Sequence, residues 1–192
     1  MAAVKASFGF KPSRSLGGVF NPAMRRFAVL ATGVRPMFVG DPVVLLSSNV
    51  VRTVTPTIAV TAVIGVVGQL LDTNQKPLVF SQPLRGPFLP IGTAGYADVY
   101  TDPNNIYWSA TDATAAVVNQ FAFVTAAGSA TQNNQVGRSP LCIAYATGTA
   151  VSSTEYPFQI VGPAAEQRDA LVNPDWTEGV EVIIARNYYV RA

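Results

Sequence analysis

Histidine is absent from this chain, and cysteine occurs once in 192 residues. The first absence excludes nucleophilic triads built on imidazole and the common histidine-bearing zinc sites. The single cysteine, Cys142, cannot form an internal disulfide, and its neighbours Leu141, Ile143 and Ala144 mark it as a small core residue on a strand. Such a chain is expected to fold in a reducing compartment. Charge is scarce as well: Asp, Glu, Lys and Arg make up 12% of residues against 49% apolar. So little charge over so much Val, Ala, Thr and Phe implies that part of the surface is covered by a partner. No apolar run is long enough to span a bilayer as a helix. The longest, Thr57 to Leu71, is 15 residues, cut by Gly65 and Gly68, where about 20 are needed. It reads as one or two buried strands, and no secretory signal is evident in the first residues.

What is present is strand grammar. From Val34 onward, short runs rich in Val, Ile, Thr and Phe are broken about every 8 to 12 residues by Gly, Pro, Asn or Asp. Gly40-Asp41-Pro42 is turn chemistry, with Pro42 at a strand start or edge. Val50 to Thr55 alternates as a half-buried strand does. Asp72 to Lys76 is a polar hairpin turn returning into Pro77 to Ser81. Gln82 to Gly92, with three prolines, is a connecting loop. Tyr96 to Tyr100 and Ile106 to Trp108 are strands about a turn at Asp102 to Asn105. Leu141 to Ala146, Pro157 to Gly162 and Val180 to Ala185 are further strands. Thr111 to Ala127 is ambiguous: Asp112 is placed to cap a short helix through Thr114 to Gln120. The fold class expected is all-β: a single antiparallel β-sandwich or β-barrel domain, jelly-roll or tulip-like, over residues 34–192, with at most one short helix.

Charge is distributed unevenly. The net charge is +2, but Lys5, Lys11, Arg14, Arg25, Arg26 and Arg35 all precede the first acid, Asp41. Pro12, Gly17, Gly18 and Pro22 interrupt the same stretch. Residues 1–33 therefore read as an extended basic N-terminal arm ordered by a partner. Phe8, Phe10, Phe20 and Phe27 are its anchors, and Lys11, Arg14, Arg25 and Arg26 its charges, for docking into grooves of a neighbour. An alternative is that the phenylalanines pack on the chain's own domain. Interleaved bases and aromatics also suit single-stranded nucleic acid, but the near-neutral total argues for a protein groove.

Candidate chemistry is thin. A carboxylate pair is conceivable among Asp98, Asp102 and Asp112, yet their spacing matches no calcium loop. Asp102, before Pro103, is suited to closing an Asx-turn. The glycines at Gly17 and Gly18 precede no strand-to-helix junction of the phosphate-binding kind. Trp108 and Trp176, which a sugar-binding groove would need together, lie far apart in the sequence. No enzyme activity, cofactor or metal is expected.

The order of several segments is similar to that of a diverse family of tailed-bacteriophage proteins that decorate or cement the capsid. The segments are Gly-Asp-Pro-Val-Val-Leu-Leu (Gly40 to Leu46), Ile-Gly-Val-Val (Ile64 to Val67) and Ala-Asp-Val-Tyr-Thr-Asp-Pro-Asn-Asn-Ile-Tyr (Ala97 to Tyr107). Gly-Arg-Ser (Gly137 to Ser139), Pro-Phe-Gln-Ile-Val-Gly (Pro157 to Gly162) and Val-Glu-Val-Ile-Ile (Val180 to Ile184) complete the set. Two departures are the length of the basic arm and Tyr107-Trp108 in place of a Phe-Glu ending. The resemblance implies a non-enzymatic β-domain on the exterior of the virion. Its partner would be the major capsid protein, and it would assemble as a homo-oligomer, a dimer or trimer, with neither membrane nor nucleic acid bound. Deleting Met1 to Thr32 is then expected to leave the β-domain folded and weaken attachment. The alternatives are another virion structural module (head–tail or tail component) and a non-viral β-sandwich binding module.

Overall fold

A computed structural model describes residues 9–33, 35–54, 62–79, 87–110, 119–126, 139–145, 156–163 and 179–185. Among them there is no helix, and the strands form two packed units. The first is a closed five-stranded barrel. Its strands are β2 (Met24–Val29), β4 (Pro42–Ser47), β5 (Val50–Thr53), β6 (Val63–Leu71) and β8 (Gly95–Tyr100), in the order β2-β5-β4-β6-β8 with β8 returning to β2. Every pair is antiparallel except β2 with β5, where Ala28 and Val29 run parallel to Val50 and Val51. The second unit is a six-stranded antiparallel sheet, β1-β9-β13-β12-β10-β11. It comprises β1 (Phe10–Ser15), β9 (Asn105–Ser109), β10 (Phe121–Ala126), β11 (Leu141–Tyr145), β12 (Phe158–Pro163) and β13 (Val180–Ile184). A two-residue ribbon, β3 (Met37–Phe38) with β7 (Phe88–Leu89), lies against the barrel and is backed by the stacked rings of Phe38 and Phe88, 5.4 Å apart.

Barrel strands β4 and β6 read as near-continuous apolar runs because most of their residues are buried on both faces. Val43 of β4 and Ile64 and Val67 of β6 turn into the barrel, where they meet Phe27, Leu70 and Val99. Val44, Val63 and Val66, their neighbours along the same strands, turn outward onto the six-stranded sheet and meet Tyr107, Phe158 and Val182. One core therefore fills the barrel, and a second cements it to the sheet. The 15-residue apolar run thus contains one nine-residue strand, Val63–Leu71, whose register shifts between Val67 and Gln69. That bulge bends the strand round a barrel this small. Closure also requires a glycine: a Cβ at Gly65 would sit 2.0 Å from the Tyr100 carbonyl oxygen.

Several turn assignments are met at their residues. Pro42 opens β4, the Asp72 carboxylate accepts the Asn74 and Lys76 N–H groups at 2.8 and 2.9 Å, and Asp102 accepts the Asn104 N–H at 2.9 Å. Cys142 is buried on β11. Most of the expected helix through Thr114 to Gln120 lies outside the described residues.

The N-terminal segment requires a correction. Residues 9–33 are not an arm beside the domain but two strands woven into both units. β1 pairs along its length with β9, and β2 closes the barrel through six register pairs with β8 and two with β5. The physical reason is burial: Phe10 is 1% and Phe27 2% exposed, each in a different core. The structure favours the alternative in which these phenylalanines pack on the chain's own domain.

Candidate functional site

The residues expected to dock a neighbour are mostly engaged within the molecule. Phe8 lies outside the described residues. Phe10 stacks on Phe158 with ring centroids 4.9 Å apart. Phe20 meets Tyr100 edge-on at 5.0 Å and Tyr107 at 6.1 Å. Phe27 is inside the barrel, with the Arg25 guanidinium 6.0 Å from its ring. The Lys11 ammonium lies 5.0 Å from the Trp108 ring. Arg14 forms a two-point ion pair with the buried Glu181, its Nη2 2.7 Å from Oε2, while Ser13 donates to Oε1 at 2.7 Å. Arg26 pairs with Asp98, its register partner across β2 and β8, at 2.8 and 2.9 Å, and reaches Gln75 at 3.0 Å. Hydrogen bonding to these carboxylates pushes the pKa values of Arg14 and Arg26 upward.

The acids do not assemble into a carboxylate pair. Asp98 is engaged by Arg26. Asp102 closes its Asx-turn and accepts the Asn21 side-chain amide at 2.6 Å. Asp112 lies outside the described residues, as does Trp176. Among the described residues no group of three or more His, Cys, Asp or Glu is placed to hold a metal ion.

Concave surface occurs elsewhere, between barrel strand β5, the ribbon, and the chain that follows β2 and β7. This pocket has a volume of about 140 Å³. Val29, Met37, Val51 and Leu89, all buried, form its apolar floor. Arg35, Arg52, Thr32 and Thr93 supply polar groups, and Leu30 and Leu46, about half exposed, stand at its edge. Local geometry explains why these groups face outward. Along β5, Val51 and Thr53 turn inward and Arg52, between them, is exposed. At the register shift between Leu45 and Ser47, Leu46 is carried outward from β4.

Behind the pocket sits the most heavily buried acid of the barrel. Asp41, 1% exposed, accepts the Phe38 N–H at 2.9 Å and the Thr53 hydroxyl at 3.3 Å on one oxygen, and the Ser139 hydroxyl on the other. Burial pushes its carboxyl up to about 7, against the opposing effect of these donors and the more distant positive charge of Arg35.

Nothing in the local sequence marks the pocket. Its polar groups come from the segment after β2, from β5 and from the turn after β7, each ordinary alone. The Asp41 cluster had a partial signal, since Gly40-Asp41-Pro42 is legible as a turn, but its partner Ser139 is not. Comparison of the chain with protein-family models, with characterised proteins and with solved structures gives no match.

Proposed function

We propose that this protein is a structural component of a tailed-bacteriophage virion, a cement or decoration protein that binds the outer face of the major coat protein shell and stabilises it. The observation that carries the reading is a double-β framework with large apolar side chains left on its surface. Val19 is 91% exposed, Val79 80% and Ile91 60%, in a chain with very little charge. Surface of that kind, on a scaffold whose described buried acids are held in structural hydrogen bonds, suits permanent attachment to another protein. Five of the six segments that carry the family resemblance fall on β4, β6, β8, β9, β12 and β13, whereas Gly137 and Arg138 of the sixth lie outside the described residues.

A cement protein adds interface where shell subunits meet. A standard interface of roughly 1,600 Å² is within reach of a molecule this size, and binding only the assembled shell stabilises it by mass action. Attachment as a dimer or trimer at local symmetry axes multiplies the contacts by effective concentration.

The test is co-sedimentation of the purified chain with capsids of the phage that encodes it, followed by cryo-electron microscopy of the pellet. Stoichiometric density on the outer shell is the expected result. A chain that stays in the supernatant at every shell concentration overturns the proposal.

A further inference from the structure

The pocket beside β5 brings two arginines to one apolar hollow. Arg14 and Arg26 are held by Glu181 and Asp98. Arg35 and Arg52 both line the pocket, and neither has a hydrogen-bond or ion-pair partner among the described residues. Among the described residues no carboxylate lines the pocket. The nearby Asp41 lies behind Thr53, its oxygens occupied by Phe38, Thr53 and Ser139. Two guanidinium groups thus flank an apolar floor, and Leu30, Leu46 and the adjacent Ile91 stand exposed around it.

We propose that this pocket is a docking site for an acidic segment of a protein partner. A carboxylate side chain of that segment would be held by Arg35 and Arg52, and an apolar neighbour would cover the Leu30, Leu46 and Ile91 rim. Three observations select a protein segment. The volume, about 140 Å³, is well below the roughly 300–1,000 Å³ typical of pockets that enclose a whole small ligand, and it suits one or two side chains. The exposed rim extends beyond the cavity, and a partner that fills only the cavity would leave it wet. The adjoining barrel is closed, so a partner cannot add a strand to it, and recognition on the β5 side falls to side chains. The walls are preorganised: Val51 is paired with Val29 on one side and Leu45 on the other, which lowers the ordering cost of binding. Guanidinium groups favour carboxylates through paired N–H donors. That the partner is a coat protein rests on the shell reading above; the chemistry of the pocket does not.

The experiment uses the full chain and two fluorescein-labelled peptides, Asp-Leu-Glu-Leu-Asp-Val and its counterpart Lys-Leu-Lys-Leu-Lys-Val, followed by polarisation and by amide chemical shifts. The acidic peptide should bind and move the amide signals of residues 30–33, 51–53 and 90–93. Its affinity should fall as salt is raised, and should drop about tenfold or more in the Arg35→Gln/Arg52→Gln double variant. An unchanged thermal midpoint in that variant separates lost binding from lost folding. Equal binding of both peptides, binding of neither, or undiminished binding by the double variant overturns the pocket proposal. Capsid pelleting keeps the two readings apart. Shells that carry down the double variant as fully as the parent chain overturn the coat protein as the occupant of the pocket and leave the shell reading standing. Selective binding of the acidic peptide by a chain that pellets with no capsid leaves the pocket standing and overturns the shell reading.

Discussion

The carboxylate of Asp41 and the hydroxyl of Ser139, 98 positions apart in the chain, meet in a fully buried hydrogen bond. The same carboxylate accepts the Phe38 N–H and the Thr53 hydroxyl, and the Ser139 oxygen accepts the Leu141 N–H at 3.1 Å. The ribbon, barrel strand β5 and the entry to β11 are thereby tied at one point. Gly9 closes over it with φ +75°, where a Cβ would lie 2.7 Å from both the Gly40 oxygen and the Ser139 Cβ. The Phe10 N–H donates to that Gly40 carbonyl at 2.8 Å.

This joint makes stability depend on pH. Asp41 is raised to about 7 in the folded chain, whereas an unfolded aspartate titrates near 3.9. Between those values the folded state holds the extra proton, so folding is favoured on the acid side. The Asp41 contribution is fully present below about pH 4 and is lost as pH rises through about 7. Denaturation midpoints between pH 4 and 8 should therefore show a downward component with rising pH, and Asp41→Asn should remove it. A variant whose profile keeps that component would place its origin elsewhere.

Truncation at the same site should be costly. Asp41→Ala leaves the Phe38 N–H and the two hydroxyls without their shared acceptor, at about 1–3 kcal/mol for each donor left unsatisfied. Chemical denaturation should read a loss of several kcal/mol, well beyond that of Asp41→Asn, which keeps the shape and one acceptor.

Gly65→Ala tests barrel closure. The added methyl would meet the Tyr100 oxygen at 2.0 Å and Val99 Cγ1 at 2.7 Å, both across the β6–β8 pairing. Backbone cannot rotate aside as a flexible side chain can, so a loss at or above the upper end of about 1–3 kcal/mol is expected. Hydrogen exchange should quicken first at Val66, Val67 and Val99.

The Arg14–Glu181 pair should show the asymmetry of a buried ion pair. Arg14→Ala removes a charge partner of a carboxylate that is 1% exposed, while the arginine is 35% exposed. The expected loss is about 2 kcal/mol, below the range for a fully buried pair. Arg14→Met combined with Glu181→Leu should recover most of it. Equal losses in the single and double variants would show that the pairing contributes nothing.

Removal of residues 1–32 should unfold the chain rather than release an appendage. The deletion takes away β1, with Phe10 in the core between sheet and barrel, and β2, which closes the barrel around Phe27. Loss of one such phenylalanine to alanine costs about 3–5 kcal/mol, comparable to much of the stability of an ordinary domain. Circular dichroism of the truncated chain should lack a cooperative thermal transition. A cooperative transition near that of the full chain would restore the arm.

The sequence by itself determined the class of the fold and much of its punctuation. Val, Ile and Thr runs between polar turns admit little but strands, and Asp72, Asp102 and Pro42 act through bonds and ring constraints that reach only a few residues, so their turns are legible locally. Cys142 was readable as core for the same reason. Tertiary structure alone decided what the N-terminus is. In Phe10–Ser15 only Phe10 is buried, and Pro12 and two bases make the segment look like a tail; its pairing with β9, about a hundred residues later, makes it a strand. Met24–Val29 likewise belongs to the barrel because β5 and β8 meet it from either side. The pocket and the Asp41–Ser139 joint were invisible for one physical reason. Each is assembled from side chains on segments far apart in the chain, and only closure of the barrel and its packing on the sheet bring them together.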